Sequence, residues 1–204
     1  MHRRLFKCLL LSAACAAQAP TALAQDLPYR GRGEGAEWRI GVVAHNIHPF
    51  GYGDMQSRET GPNLEGEMVG APSQTLRAIG RPRPYVMASA NLSGDTSFAA
   101  AGLYWPWRFD PDWRLEFGVG LALHDGELHN PYPASDPRAA AFQYEHQLLG
   151  THMLFRDSLA LDRAIGAGCS VGIVYEHLSN AGDLFGHSDN ESLNELGVRF
   201  SMGL

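Results

Sequence analysis

The chain has 204 residues, of which 45% are hydrophobic and 23 are glycine, a composition that suits one folded domain and excludes a disordered chain. Its 16 basic residues include Arg3, Arg4 and Lys7 of the N-terminal segment; beyond them 13 arginines face 22 carboxylates, a balance of −9 that argues against nucleic-acid binding. Cys8 and Cys15 lie in the same segment and leave Cys169 alone, so an intrachain disulfide framework is excluded as well.

In chain order, Met1 to Lys7 is basic, Cys8 to Ala17 is small and apolar, and Ala22-Leu23-Ala24 offers a small-x-small cleavage site. Residues 1–24 therefore read as a secretory signal peptide, and residues 25–204 as a single barrel domain. The apolar run is too short for a membrane helix. Cys15 lies too early for a lipidation site and has Ser12 where such a site carries leucine.

Beyond residue 24 the chain alternates. Eight strands are expected near 37–47, 62–70, 83–92, 96–109, 113–124, 150–161, 166–180 and 194–204. Asp110-Pro111-Asp112 makes a tight turn between the fourth and fifth, and Asp162 to Ile165 reads as another between the sixth and seventh. His124 to Gln147, rich in Pro, Asp and Ala, reads as a long loop.

The alternation is clearest in Trp113 to His124, where every odd position is large and apolar and the even ones are charged, glycine, alanine or histidine. The last run repeats it: Leu196, Val198, Phe200, Met202 and Leu204 alternate with Gly197, Arg199, Ser201 and Gly203. A soluble sandwich turns its greasy face inward. Apolar residues outward, with glycine, arginine and glutamate inside, is the pattern of a small membrane barrel. The fold expected is thus all-β, an eight-stranded antiparallel outer-membrane β-barrel, with Tyr104, Trp105, Trp107 and Trp113 in an aromatic girdle near the periplasmic turns. Short turns belong to the periplasmic end, so the seventh strand runs outward to the cell surface.

Near that outer end stands His177-Leu178-Ser179-Asn180-Ala181-Gly182, with Asn190-Glu191 ahead of the last strand. In a strand His177 and Ser179 point to the same side, roughly 6.8 Å apart, which lets an imidazole lean onto a hydroxyl. Parity puts them on the lipid-facing side with Val171, Ile173 and Tyr175. Polar groups there are costly at depth and cheaper near the interface, so the pair is either functional or an ordinary piece of rim.

These residues resemble the lipid A 3-O-deacylases of the PagL type, also labelled acyloxyacyl hydrolases. The similarity rests on His177-Leu178-Ser179-Asn180-Ala181, on Asn190-Glu191, and on the terminal Leu196-Gly197-Val198-Arg199-Phe200. Upstream, Asp95 to Leu103, Trp113 to Gly126 and Leu154-Phe155-Arg156-Asp157-Ser158 are similar too, so it spans roughly residues 83–204. The resemblance implies an enzyme of the bacterial outer membrane that acts on lipid A of lipopolysaccharide, with its site toward the outer leaflet and no cofactor. It implies Ser179 as nucleophile, His177 as general base and Glu191 as the carboxylate behind it, with Asn180 and Gly182 at the oxyanion-binding positions. Asp183, Asp189 and Glu195 are rival acids in sequence. Glu191 has the wrong parity for the outward row 196–204, which predicts a turn or bulge between Glu191 and Leu196. The loop Asp183 to Asp189 departs from the family pattern.

Other constellations carry less. Gly168-Cys169-Ser170-Val171-Gly172 fits a nucleophile elbow by letter but lies in an alternating strand. His45 and His48 lack a third metal ligand and read as surface residues, and Asp183 and Asp189 as solvated acids. Arg138 and Arg156 are candidates for lipid A phosphates. Two alternatives to the esterase stand: a catalytically silent structural or lipopolysaccharide-binding barrel, and a soluble barrel of lipocalin shape.

Overall fold

The computed structural model describes residues 35–47, 59–166, 168–180 and 191–204. The expected signal peptide, His48, Gly182, Asp183 and Asp189 lie outside the described residues. Eight strands close into one antiparallel barrel: β1 (Glu37–Ala44), β2 (Pro62–Val69), β3 (Arg83–Asn91), β4 (Phe98–Arg108), β5 (Trp113–His124), β6 (Met153–Gly166), β7 (Cys169–Ser179) and β8 (Leu193–Gly203). Each pairs with its sequence neighbours, and β1 meets β8 from Glu37↔Gly203 to Ala44↔Leu196. Closure satisfies the edge N–H and C=O groups that a bilayer cannot solvate.

The outer wall is apolar. Ile40, Val42, Leu64, Val86, Leu121, Leu159, Ile173 and Val198 are exposed, each in strict alternation with a lumen residue. One end of the barrel carries the connections 70–82, 109–112 and 167–168 together with both ends of the barrel sheet. The opposite end carries 45–61, 92–97, 125–152 and 180–192. The 125–152 segment includes α1 (Pro137–Glu145), which opens on Asp136 with its side chain accepting from the Arg138 amide.

The lumen is filled by paired charges. Arg39 spans it to bond Glu116 on the far wall at 2.7 and 2.9 Å and Glu67 at 3.1 Å. Arg199 reaches Glu116 and Asp162, both at 2.8 Å, and Arg114 meets Asp162 at 3.0 Å. Buried charges persist only when so paired. Above this layer Tyr85 and Tyr104 stack with centroids 4.2 Å apart. The rings lie against backbone at Gly102, Gly118 and Gly120, where an added Cβ would fall within 2.2 to 2.7 Å of a tyrosine atom, so the glycines make room for them. At the long-loop end Phe98, Leu149, Leu154, Leu178 and Leu193 form an apolar plug, with Leu149 entering from the 125–152 segment.

Several expectations need correction. Asp162 is no turn residue: β6 runs on to Gly166 because Asp162 faces inward as the partner of Arg114 and Arg199. Tyr104 does not join the aromatic girdle. Its parity in β4 is opposite to that of Trp105 and Trp107, and it is fully buried against Glu67 and Arg156. Arg156 is likewise in the lumen, bonded to Glu176, and unavailable to phosphates. His45 is buried rather than a surface residue, with Nδ1 at 2.8 Å from Glu195 and Nε2 at 3.0 Å from Glu59.

Candidate active site

The outward row of β7 explains why His177 and Ser179 share a face. Val171 and Ile173 are exposed on that row, while Gly172, Val174, Glu176 and Leu178 turn inward. Along this row polarity begins at Tyr175 and continues through His177 to Ser179, the last residue of the strand. Register places Asp157 of β6 and Asn194 of β8 directly opposite His177, one on each side, and Phe155 opposite Ser179. A band of polar side chains thus crosses three strands on a wall that is apolar over the middle of those strands.

Within the band the contacts are specific. His177 Nδ1 lies 2.8 Å from Asn194 Oδ1, and the Tyr175 hydroxyl donates to the same oxygen at 2.7 Å. Ser179 is only 9% exposed despite its outward parity, so its hydroxyl is sheltered at the edge of the wall.

The segment Gln147–Leu149 fastens the ends of several connections. Asn180, fully buried, donates its side-chain amide to Leu149 O at 3.1 Å. Glu191 clamps Leu148 from both sides: its N–H donates to Leu148 O at 3.1 Å and its Oε2 accepts from Leu148 N at 2.8 Å. Gln147 donates its amide N–H to Glu59 and its side chain to Ser192 O. Beneath them His45, just past β1, is buried; burial works against its charge, but hydrogen bonds to Glu195 and Glu59 carry its pKa up to about 9.

Glu191 stands ahead of β8, and β7 and β8 pair without interruption from Leu178↔Leu193 onward. The expected bulge before Leu196 is therefore absent from this stretch, and strand parity does not govern Glu191. Glu195 faces the lumen toward His45 and Asn63, on the opposite side of β8 from His177. Ser170 lies within β7, without the strand-to-helix turn that an elbow needs. Arg138 is an exposed partner of Asp136 on α1.

The structure thus brings His177 and Ser179 onto one face and sets Asn180 and Glu191 beside the Leu148–Leu149 backbone. Sequence reasoning missed Asn194 and Asp157, although parity held the signal: each is a polar residue on an outward row facing His177.

The arrangement sets a hydroxyl and an imidazole on one outward row of β7, at the end where that row turns polar. Residues 70–203, well over half the chain, match the sequence model of the family described as lipid A 3-O-deacylase (PagL). No curated protein matches significantly. Among solved structures, the outer membrane enzyme PagL is similar over 82% of this chain and 99% of its own, with 13% identity and a TM-score of 0.55. Neisserial surface protein A is similar over 83% of this chain and 97% of its own, with 9% identity and a TM-score of 0.50. At such identities the two structures speak for the fold, and the family match for the lineage: the chain belongs to the lipid A 3-O-deacylase (PagL) family, on an outer-membrane barrel fold.

Proposed function

We propose that the protein is an esterase that removes the 3-O-linked acyl chain of lipid A, working in the outer leaflet from the lipid-facing wall of its barrel. The observation that carries this reading is the sheltered Ser179 hydroxyl beside His177 on an otherwise apolar row. A hydrolase for a soluble ester has no reason to hold these groups on the face that meets hydrocarbon, whereas an acyl chain of lipid A lies along it.

In this reading Ser179 Oγ attacks the ester carbonyl while His177 Nε2 takes its proton, giving a tetrahedral oxyanion. Collapse breaks the bond to the sugar oxygen, which receives that proton from His177, and leaves an acyl-serine. Water, deprotonated by the same imidazole, then releases the fatty acid and restores the hydroxyl. Glu191 is the carboxylate whose charge favours the imidazolium. The Asn180 side chain already donates to Leu149 O, so backbone N–H groups of Asn180 to Gly182 are the donors proposed for the oxyanion.

The test is mass spectrometry of lipid A incubated with purified, refolded protein. Ser179→Ala and His177→Ala should stay folded and lose nearly all release of the 3-linked acyl chain. The double variant should be little worse than either, because the pair acts as a unit. Full activity in Ser179→Ala refutes the mechanism. An inert wild-type protein, properly folded and supplied with lipid A, would favour the silent structural barrel.

A further inference from the structure

We infer that Asn194 is the positioning residue that orients His177, so that the third place of the proposed triad is divided between an amide that aligns the imidazole and carboxylates that supply only charge. The inference rests on the assignment of Ser179 and His177 given above.

The outward row of β8 runs Asn194, Leu196, Val198, Phe200 and Met202, and the four positions after Asn194 are exposed hydrocarbon. A side-chain amide on a lipid-facing row is unfavourable unless it is used, and this one is. Its Oδ1 receives two donors, Tyr175 Oη at 2.7 Å and His177 Nδ1 at 2.8 Å. An amide oxygen only accepts, and it has two lone pairs. With the amide oxygen on this face of the ring, the proton sits on Nδ1, which leaves the lone pair on Nε2, the nitrogen that a base acting on Ser179 needs. Tyr175, two residues before His177 on the same row, holds the amide in that rotation.

Nδ1 carries one proton in one direction, and Asn194 occupies that direction. Glu191 has its Oε2 on the Leu148 amide and its own N–H on the Leu148 carbonyl. A carboxylate therefore acts on His177 through its field rather than by aligning the ring. Among the described residues, the titratable groups set against His177 by register or through Asn194 are Asp157, directly across on β6, and Tyr175 on its own strand. Alignment by a neutral amide keeps the tautomer correct yet stabilises the imidazolium less than a directly bonded carboxylate does, so this division of labour has a pH signature.

The experiment compares Asn194→Leu and Asn194→Asp with wild type and with Ser179→Ala, using lipid A dispersed in detergent. Asn194→Leu should lose about 10- to 100-fold in kcat with KM little changed, the scale seen when a residue orienting a histidine is removed. Asn194→Asp keeps an acceptor at the same place and should restore turnover. Its carboxylate should move the acid limb of the pH–kcat/KM profile upward by about one unit. Nitrogen-15 shifts of His177 in micelles should report the Nδ1–H tautomer in wild type, a readout that stands even where Asn194→Leu folds poorly. Wild-type kcat in folded Asn194→Leu, an unmoved acid limb in Asn194→Asp, or an Nε2–H tautomer in wild type overturns the inference while leaving the esterase reading intact. Activity surviving in Ser179→Ala instead overturns the esterase reading itself.

Discussion

Replacing Arg156 by Met tests whether the lumen charges hold the barrel together. Arg156 is 1% exposed, and its guanidinium gives Nε and Nη2 to Glu176 and Nη1 to the hydroxyls of Tyr85 at 2.8 Å and Tyr104 at 3.2 Å. Methionine fills much of the same volume but leaves Glu176, itself 1% exposed, as an uncompensated charge. Removing one partner of such a pair costs about 3 to 5 kcal/mol, a shift in the folding equilibrium on the order of 10² to 10⁴. Pairing Arg156→Met with Glu176→Met removes the stranded charge and should recover most of that loss. The assay is urea unfolding of the refolded barrel in lipid vesicles, followed by tryptophan fluorescence. A single substitution costing under about 1 kcal/mol, or a double variant no better than the single, refutes the account of the lumen. Loss of lipid A turnover with unchanged stability would instead return Arg156 to the substrate phosphates.

Leu121, 45% exposed on the outer row of β5, should lose about 2 to 4 kcal/mol on replacement by Arg if it sits near the bilayer midplane; the same unfolding assay checks this. The intact barrel should need detergent and migrate faster on gels before boiling than after, and a chain soluble without detergent would contradict the outward facing of its hydrocarbon. Glu191→Ala removes charge but leaves the Asn194 alignment in place, so turnover should fall yet stay above that of Ser179→Ala. If Asp189→Ala or Glu195→Ala is the damaging change and Glu191→Ala runs near wild-type rate, the acid is misassigned. His45 is held at about 9 in the folded barrel against an ordinary value near 6.5, so it binds its proton more tightly folded than unfolded. Its contribution is fully present below pH 6.5 and lost as pH rises through about 9. Stability should fall across that window in wild type and much less in His45→Gln.

The barrel was legible wherever side chains obey a two-residue period against hydrocarbon. The outer row is apolar from Trp113 to Leu123 in β5 and from Leu196 to Met202 in β8, and the Asp110-Pro111-Asp112 turn separates β4 from β5 as expected. Errors arose where a residue's chemistry suited two environments. Asp162 has the composition of a turn but serves the lumen, and its partners Arg114 and Arg199 are 48 and 37 residues away in sequence. His45 resembles a surface histidine because Glu59 and Glu195, the groups that bury it, arrive from β8 and from the end of the first connection. At the site, the motif and parity pointed to His177 and Ser179. Asn194 escaped because a residue opposite in register becomes a neighbour only after β8 is aligned with β7.

The pairing inside the lumen bears on how such a chain can enter a membrane. Arg39 on β1 has Glu116 on β5 as a partner, and Arg199 on β8 shares Glu116 with it while also reaching Asp162 on β6. None of these contacts joins neighbouring strands. A sheet that began to insert hairpin by hairpin would carry Arg199 and Glu116 toward hydrocarbon without their ion-pair partners, since those partners lie across a cylinder not yet formed. The cheapest route keeps the strands together at the interface until β1 meets β8, so that curling, neutralisation and descent into the bilayer occur as one event. A sequence that fills its pore with ions thereby makes partial insertion the least populated state on its path.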